Sequence, residues 1–326
     1  MKKKKKVTFL IRFAKNILKA LRIRNVRLYG SKFSKKVYTL HQHIVLLSLR
    51  EFHKGIGYRL LCDILPDYSL LLEFLGLARI PHFTTLHKVS QRLRGSTVES
   101  IFLGFARRAR FRAGIDSTGL SLQHSTYYYE QRLEHFRKAK NRKPGRPTSL
   151  FADLDGQIIL SAKLLRGKKS DSKMMIPTIQ KAEGLFGRII SNDADKGYDA
   201  EYNHCFVNEC MGTKDFIKMR NEPVPVHRTK GEYRKKAKNS SRKATGRPRK
   251  NHRNRMESII FALKKICGEH LSATSSKGQR QQSRFRIIAY NAYRKIKAFL
   301  VRISTEPEVL RLYYIFFTAS LLTLNA

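Results

Sequence analysis

Three acidic residues stand out in this sequence because carboxylates are scarce in it. Asp116, Asp195 and Glu257 occur in a chain with 67 Lys and Arg against 24 Asp and Glu, and with a formal net charge of +43. Carboxylate oxygens are preferred ligands of Mg²⁺, and two such ions ~3.5–4 Å apart can activate the attacking oxygen and stabilise the leaving oxygen of a phosphodiester. The three residues therefore predict an enzyme that binds a polyanion and cuts it.

The net charge by itself is a less specific signal. It indicates a polyanionic partner, and nucleic acid is the usual one. A ribosomal or chromatin-packing protein would be basic for the same reason, without an active site. The hydrophobic content of 41% predicts that most of the 326 residues fold, and a chain of this length forms roughly two domains.

The cysteines and the apolar segments indicate no zinc site and no membrane span. Cys205 and Cys210 are the only close pair among the four cysteines, and their spacing differs from that of zinc ligands. The apolar residues 312–324 are fewer than the ~20 of a membrane span, and we expect them to form a buried terminal element. Residues 9–21 fit a basic amphipathic helix that could contact phosphates or lipid. We expect free thiols in a cytoplasmic protein.

The elements that must position the acidic residues change character near residue 113. Before it, helical patterns occupy residues 37–53, 58–65, 70–75, 86–94 and 96–110. Two short helices followed by a basic one indicate a helix-turn-helix-like DNA reader, and an ordinary helical bundle fits the pattern nearly as well. After it, strands are predicted at 113–116, 120–129, 149–154, 157–165, 187–192 and 215–219, and helices at 176–183, 200–210 and 256–271. Gly76 is expected to end the helix at 70–75, Asp155 and Gly156 to form the turn between the strands at 149–154 and 157–165, and Asp199 to cap the helix at 200–210.

This order of elements predicts an α/β fold with a three-layer domain. We expect a helical N-terminal DNA-binding region at residues 1–110. We expect the α/β domain at residues 111–326, with a basic loop at 222–255 and a C-terminal extension. In this arrangement Asp116 belongs to a strand, Asp195 follows a second strand, and Glu257 lies on a helix.

The helix that carries Glu257 can be mapped by its geometry. Successive residues turn by ~100°, which predicts one apolar stripe formed by Met256, Ile259, Ile260, Leu263 and Cys267. Arg253, Glu257 and Lys264 then share a strip at the rim of that stripe. An acid between two bases at such a rim is well placed for a metal and for DNA phosphates. The alternative is an Arg–Glu surface pair that contributes only ~0.3–0.5 kcal/mol.

Three motifs, in this order, resemble those of the DDE transposases of prokaryotic insertion sequences, whose catalytic domain has a ribonuclease H-like fold. Residues 114–119, Gly-Ile-Asp-Ser-Thr-Gly, resemble the strand with the first Asp, and residues 194–199, Ala-Asp-Lys-Gly-Tyr-Asp, resemble the motif with the second. The third motif, Tyr-x₂-Arg-x₃-Glu-x₆-Lys, is matched by Arg253, Glu257 and Lys264. Lys250 stands at its Tyr position. The similarity extends from about residue 40 to residue 264.

The resemblance implies that Asp116, Asp195 and Glu257 are the catalytic residues and hold two Mg²⁺ ions, with Mn²⁺ as a substitute. Water would attack a phosphodiester at the element's end, and the freed 3′-OH would then attack target DNA. Such an enzyme acts as a homodimer on paired ends of double-stranded DNA, in the nucleoid of a prokaryotic cell. A related nuclease without strand transfer and a non-catalytic DNA-binding protein, derived from a decayed copy, are the alternatives.

Several basic residues are expected to meet this DNA. Arg253, Lys264 and Lys196 would contact phosphates. Residues 144–147 and 246–250 resemble short basic cores that enter a narrow minor groove, although solvated loops explain both segments equally well. The DNA-binding residues predicted in the second core are Arg247, Arg249 and Lys250.

Overall fold

The computed structural model describes residues 8–30, 33, 35–122, 145–164, 171–220, 224–243 and 253–305. Its first six helices are α1 (Phe9–Ile23), α2 (Leu40–Phe52), α3 (Tyr58–Ile64), α4 (Ser69–Leu75), α5 (Phe83–Arg92) and α6 (Gly95–Leu103). The later helices are α7 (Met175–Ile179), α8 (Glu201–Cys205), α9 (Glu232–Lys243), α10 (Arg253–Cys267) and α11 (Ser276–Thr305). The strands are β1 (Phe111–Leu122), β2 (Gly145–Asp153), β3 (Ile158–Leu164), β4 (Ile189–Ala194), β5 (Lys214–Ile217) and β6 (His270–Leu271).

The strands form one mixed sheet in the order β3-β2-β1-β4-β5. β1 pairs antiparallel with β2 and parallel with β4, and β5 continues the parallel half. β6 adds a short parallel pairing at the end of β1, where Ser121 is opposite His270. The predicted mixed α/β fold is therefore confirmed, with β1 as the central strand.

The expected N-terminal helix is confirmed as α1, and its apolar face is part of the core. The face is formed by Phe13, Ala14, Ile17, Ala20 and Leu21, which recur at helical spacing and are at most 1% exposed. Thr8 caps the helix by accepting a hydrogen bond from the backbone N–H of Ile11. Burial of the apolar face against protein leaves only the polar side of α1 for phosphates or lipid.

The helix α11 has no counterpart among the sequence-based predictions. It packs against α1, α2, α5 and α6 on the helical side and against β3 and β6 of the sheet. Its buried side includes polar residues, namely Gln281, Gln282, Arg286 and Asn291. They interrupt the helical spacing of apolar residues from which a helix is predicted. Tertiary partners satisfy them: the Asn291 side chain, for example, exchanges two hydrogen bonds with the backbone of Ile159.

Several predictions of helices and strands need correction. The helix expected at 96–110 ends at Leu103, and the helix expected at 176–183 becomes a 3-10 helix after Ile179. The strand expected at 113–116 and the start of the strand expected at 120–129 form the single strand β1.

The helix expected at 256–271 ends at Cys267, because Gly268 adopts φ +83° and the chain then enters β6. The helix expected at 200–210 divides into α8 and a π-helical turn, Phe206–Cys210. Asp199 does not cap it, because its carboxylate is engaged by other groups, described below.

Other predictions fall partly or wholly outside the described residues. Residues 312–324, the whole basic core at 246–250 and the end of the strand expected at 120–129 lie there. Gly145 and Pro147 of the first basic core belong to β2, opposite Ser121 and Gly119 of β1, so they are not a loop.

Within the described part of the chain, no helix is long and apolar enough to cross a membrane. The division at residue 110 stays a prediction.

Candidate acidic active site

The parallel pairing of β1 and β4 brings Asp116 and Asp195 to the same edge of the sheet. Ile115 is opposite Ala194 in this pairing, and each aspartate is the next residue of its chain segment. Asp116 continues β1, whereas Asp195 is the first residue after β4. Both side chains are partly exposed. The two aspartates therefore occupy neighbouring positions at this edge, where a ligand can reach them.

Tyr198 joins the segment after Asp195 to β1. Its hydroxyl lies 2.9 Å from Oγ of Ser117, and the backbone N–H of Ser117 donates to Oδ1 of Asp116 at 2.7 Å. Burial raises the pKa of the Tyr198 phenol, and the nearby charges of Asp171 and Asp116 add to the rise. Tyr198 is 1% exposed, so it is a neutral, fixed link between the two aspartate segments.

Backbone contacts hold the tight turn formed by Lys196–Tyr198. The N–H of Tyr198 donates to the carbonyl of Asp195 at 3.0 Å. The guanidinium of Arg220 donates to the carbonyls of Lys196 and Gly197 at 3.1 and 3.2 Å. With its carbonyl held in this way, Lys196 presents an exposed side chain beside the acidic edge. That position suits the phosphate contact predicted for it.

A buried ion network lies directly after this turn. Asp199 accepts two hydrogen bonds from the guanidinium of Arg234, at 2.7 and 2.8 Å, and a third from the backbone N–H of Arg220 at 2.9 Å. His204 lies between two carboxylates, with Nε2 3.2 Å from Asp199 and Nδ1 in contact with Asp215. The side chains of His204 and Asp199 are both 0% exposed.

The electrostatics of this network make His204 a cation at neutral pH. Burial by itself would lower its pKa, but hydrogen bonds and charge from Asp199 and Asp215 outweigh burial and raise the pKa of His204 to about 9. Burial likewise opposes ionisation of Asp199, but the bonds from His204 and Arg234 hold the pKa of that carboxyl well below its usual range. The network is thus an ionised cluster that supports the turn next to Asp195.

The same network attaches α9, the helix of the predicted basic loop. Arg234 belongs to α9, and the carboxylate of Glu201 accepts the backbone N–H groups of Tyr233 and Arg234 at 2.8 and 3.1 Å. Glu201 therefore supplies the acceptor that the first turn of α9 lacks. Gly231 is required here: its φ is +95°, and a Cβ at this position would lie 2.0 Å from Glu201.

Glu257 lies on the exposed side of α10, as its helical position predicts. The expected stripe is confirmed, since Met256, Ile259, Leu263 and Cys267 are at most 3% exposed and Ile260 packs partly against the core. Lys264 forms an ion pair with Glu269 at 3.1 Å. The side chain of Arg253 and the whole of residues 247, 249 and 250 lie outside the described structure, so their DNA contacts stay predictions.

Asp155 positions the first turn of α10 against the sheet. Its Oδ1 accepts hydrogen bonds from the guanidinium groups of Arg112 on β1 and Arg255 on α10. Arg112 also donates its backbone N–H to Oδ2 at 2.9 Å. The sequence indicated Asp155 only as a turn residue. Its carboxylate in fact connects the strand of Asp116 with the helix of Glu257, near the beginning of both elements.

The structure brings two of the three expected ligands together, but not all three in one group. Within the described ranges, no three His, Cys, Asp or Glu side chains lie close enough to hold a metal ion. The four cysteines are free thiols, as expected. Asp116 and Asp195 offer oxygen ligands only, which fits a hard ion such as Mg²⁺. A further carboxylate, Asp171, faces the turn, with Oδ2 3.3 Å from where a Cβ of Gly197 would be.

The sequence also matches a known family over this part of the chain. Residues 114–292 match the family described as the transposase DDE domain, and this range is more than half of the chain. The chain belongs to the DDE transposase family. The matched range begins on β1, just before Asp116, and contains Asp195 and Glu257.

Two further comparisons describe how distant other proteins are from this DDE transposase. A piggyBac transposase solved in a synaptic complex with hairpin DNA is similar in structure, with a TM-score of 0.44 and 9% sequence identity. The match covers 94% of this chain and 78% of that one. Comparison with curated proteins gives no match.

The sequence does not predict the residues that support the turn after Asp195 in this DDE transposase. Tyr198 and Asp199 belong to the second motif, but the sequence predicts no role for the Tyr and only a helix cap for the Asp. His204 and Arg234 were assigned no role at the site. The signal for them was weak, because Arg234 lies 35 residues after the carboxylate that it binds.

Proposed function

We propose that this DDE transposase cleaves DNA at the ends of a prokaryotic insertion sequence and joins the freed strand to target DNA. The observation that carries the proposal is the parallel pairing of β1 and β4, which puts Asp116 and Asp195 at one sheet edge. The net charge of +43 supplies the attraction for a polyanion that surrounds such an acidic site. The Tyr-Arg-Glu-Lys signature and the homodimer on paired double-stranded ends are part of this proposal.

We also propose that the sheet is the core of a ribonuclease H-like domain and that the helices before residue 110 form a DNA-binding region. The strand order supports the first point, since a central β1 is flanked by antiparallel β2 and β3 on one side and parallel β4 and β5 on the other. The succession of α3, α4 and the basic α5 supports a helix-turn-helix-like reader. In cells, such a protein acts in the cytoplasm, at the nucleoid.

The chain's own residues divide the work at the proposed site. Asp116, Asp195 and Glu257 would hold two Mg²⁺ ions, which supply charge stabilisation for the attacking and leaving oxygens when bound. Ser117 and Tyr198 keep the first two carboxylates in register. Lys196 and Lys264 would bind phosphates and orient the scissile strand, with Lys264 exchanging its ion pair with Glu269 for a DNA contact.

The decisive experiment is a cleavage and joining assay on DNA that contains the element's ends, with Mg²⁺ or Mn²⁺. We expect Asp116→Asn and Glu257→Gln to lower cleavage by about three orders of magnitude or more, because each removes a charge that acts in the transition state. DNA binding should persist, since the basic surface is unchanged. Glu183→Gln, an exposed acid outside the three motifs, is the matched control.

Each result of this assay has a definite meaning. Cleavage without joined product indicates a nuclease that lacks strand transfer. Tight binding without cleavage in the wild-type protein indicates a non-catalytic DNA-binding role. If Asp171→Asn abolishes cleavage and Glu257→Gln does not, the third carboxylate is Asp171, which faces the turn at Gly197.

A further inference from the structure

A basic cavity lies on the helical side of the molecule, and none of the predicted site residues lines it. It has a volume of about 1290 Å³ and opens between the α1–α2 connection and the α5–α6 region. Its cationic lining residues are Arg24, Arg27, Lys35, Lys88, Arg92 and Arg94. The first three come from the α1–α2 connection and the others from α5 and the α5–α6 connection. We call this cavity the basic groove.

Among the described residues, no acid neutralises the cations of the basic groove. No Asp or Glu is among its lining residues. All six cationic side chains are exposed, and within the described part of the chain none of them forms an ion pair. Some basic residues elsewhere are paired: Lys181 and Arg284, for example, both bind Glu99 at 2.8 and 2.7 Å. Six like charges around one cavity repel one another, so an anionic ligand would stabilise the groove.

The remaining lining indicates what kind of anion fits. Tyr29 and Tyr38 line the groove together with apolar side chains such as Val89 and Leu93. Tyr38 is fixed, because its ring packs edge-on against His43 and its hydroxyl donates to the carbonyl of Ile80. Tyr29 makes no hydrogen bond or ring contact with a described residue. A ligand for this surface combines regularly spaced negative charges with flat, apolar groups.

We propose that the basic groove binds a single strand of DNA. Charged grooves with aromatic side chains are the common solution for single-stranded nucleic acid, because cations follow the phosphates and rings stack on unpaired bases. A duplex presents phosphates on its outside and stacks its bases inside, so it would contact the cations but not the tyrosines. This inference rests on the proposed function only in taking DNA as the partner. It adds a second binding site, separate from the acidic edge.

Binding assays without divalent metal test the inference, because cleavage cannot occur there. The ligand is a fluorescent 20-nucleotide single strand of mixed sequence, compared with the same sequence as a duplex, with fluorescence anisotropy as the readout. The test variant is Arg24→Gln/Arg27→Gln/Arg94→Gln, which leaves the basic α5 of the proposed duplex reader unchanged. The control variant, Arg22→Gln/Arg79→Gln/Arg110→Gln, removes the same residue type from exposed positions outside the groove.

We expect the groove variant to bind the single strand at least tenfold more weakly, whereas the control variant loses less than about threefold. Loss of three phosphate contacts should also flatten the plot of log affinity against log salt by about 2. Tyr29→Leu should weaken single-strand binding by roughly tenfold through lost stacking and leave duplex binding unchanged. These substitutions are exposed or peripheral, so thermal unfolding should be nearly unchanged.

Three results would overturn the inference: equal losses in the groove and control variants, no effect of Tyr29→Leu, or equal weakening of duplex and single-strand binding by the groove variant. The outcome is independent of the cleavage test. If the groove binds single strands but the wild-type protein never cuts DNA, the proposed function fails and the groove stands. If cleavage depends on Asp116 while the groove variant binds normally, only the groove proposal fails.

Discussion

Two buried ion networks of this molecule differ in the groups that carry their charge. On the helical side, Glu51 of α2 accepts hydrogen bonds from its neighbour Arg50 and from Arg286 of α11, and all three residues are less than 10% exposed. Beside the acidic edge, the second network joins Asp199, Asp215, His204 and Arg234. The first network contains no histidine, whereas the second is centred on one.

The first network connects elements that are far apart in the sequence. Arg286 donates to the carbonyls of Gly268 and His270, and Arg50 donates to the carbonyl of Gly55 at 3.2 Å. It therefore fastens α2, α11 and the segment that leads into β6. Because arginine stays charged at all ordinary pH values, this connection is insensitive to pH near neutrality. The second network supports the turn after Asp195, and its charge depends on the protonation of His204.

The largest expected effect comes from removing the only acid of the first network. Glu51→Gln leaves two buried guanidinium groups without a counter-charge, and we expect the free energy of unfolding to fall by about 3–5 kcal/mol. Urea unfolding followed by circular dichroism measures this loss. Glu183→Gln, at an exposed position, should change stability little. A similar small change in both variants would show that the arginines do not depend on Glu51.

A smaller effect concerns the pH dependence of stability, which we expect from the second network and not from the first. The folded pKa of His204 is about 9, above the ordinary value of 6.5, so its stabilising contribution is complete below about pH 6.5 and disappears as the pH rises through 9. We expect wild-type protein to lose on the order of 2 kcal/mol of stability across this window. His204→Gln should remove that pH dependence, and the exposed His227→Gln should retain it. A flat wild-type profile would mean that His204 is neutral in the folded protein.

The smallest expected effect concerns the link between the second network and α9. Arg234→Gln breaks the paired hydrogen bonds to Asp199, and we expect a loss of about 1–2 kcal/mol in unfolding free energy. The exposed neighbour Lys235→Gln removes the same charge from the same helix and serves as the control. Hydrogen exchange at the amides of residues 196–199 should rise in the first variant alone. Equal exchange in both variants would show that the turn does not rely on Arg234.

The sequence predicted much of the fold where a signal is local. Strands β1 to β5, the apolar stripe of α10 and the end of α4 at Gly76, which adopts φ +63°, follow from short-range patterns. β6 does not, because its residues, His270 and Leu271, belong to the helix predicted at 256–271. Helix α11 was missed because its buried glutamines and its buried Arg286 conceal the apolar period. Asp199 was assigned as a helix cap because Asp before a helix is usually one. Its carboxylate instead binds residues that no local pattern reveals.

For the acidic site, the sequence by itself determined the candidate carboxylates, their order along the chain and the basic surroundings, because each is a property of short motifs or of composition. Only the tertiary structure decided that Asp116 and Asp195 share an edge, that Tyr198 reaches Ser117 across 81 residues, and that Asp155 joins Arg112 to Arg255. Such contacts depend on strand pairing and on which side chains the core brings together. Their free energy comes from partners far apart in the chain, which no single segment encodes.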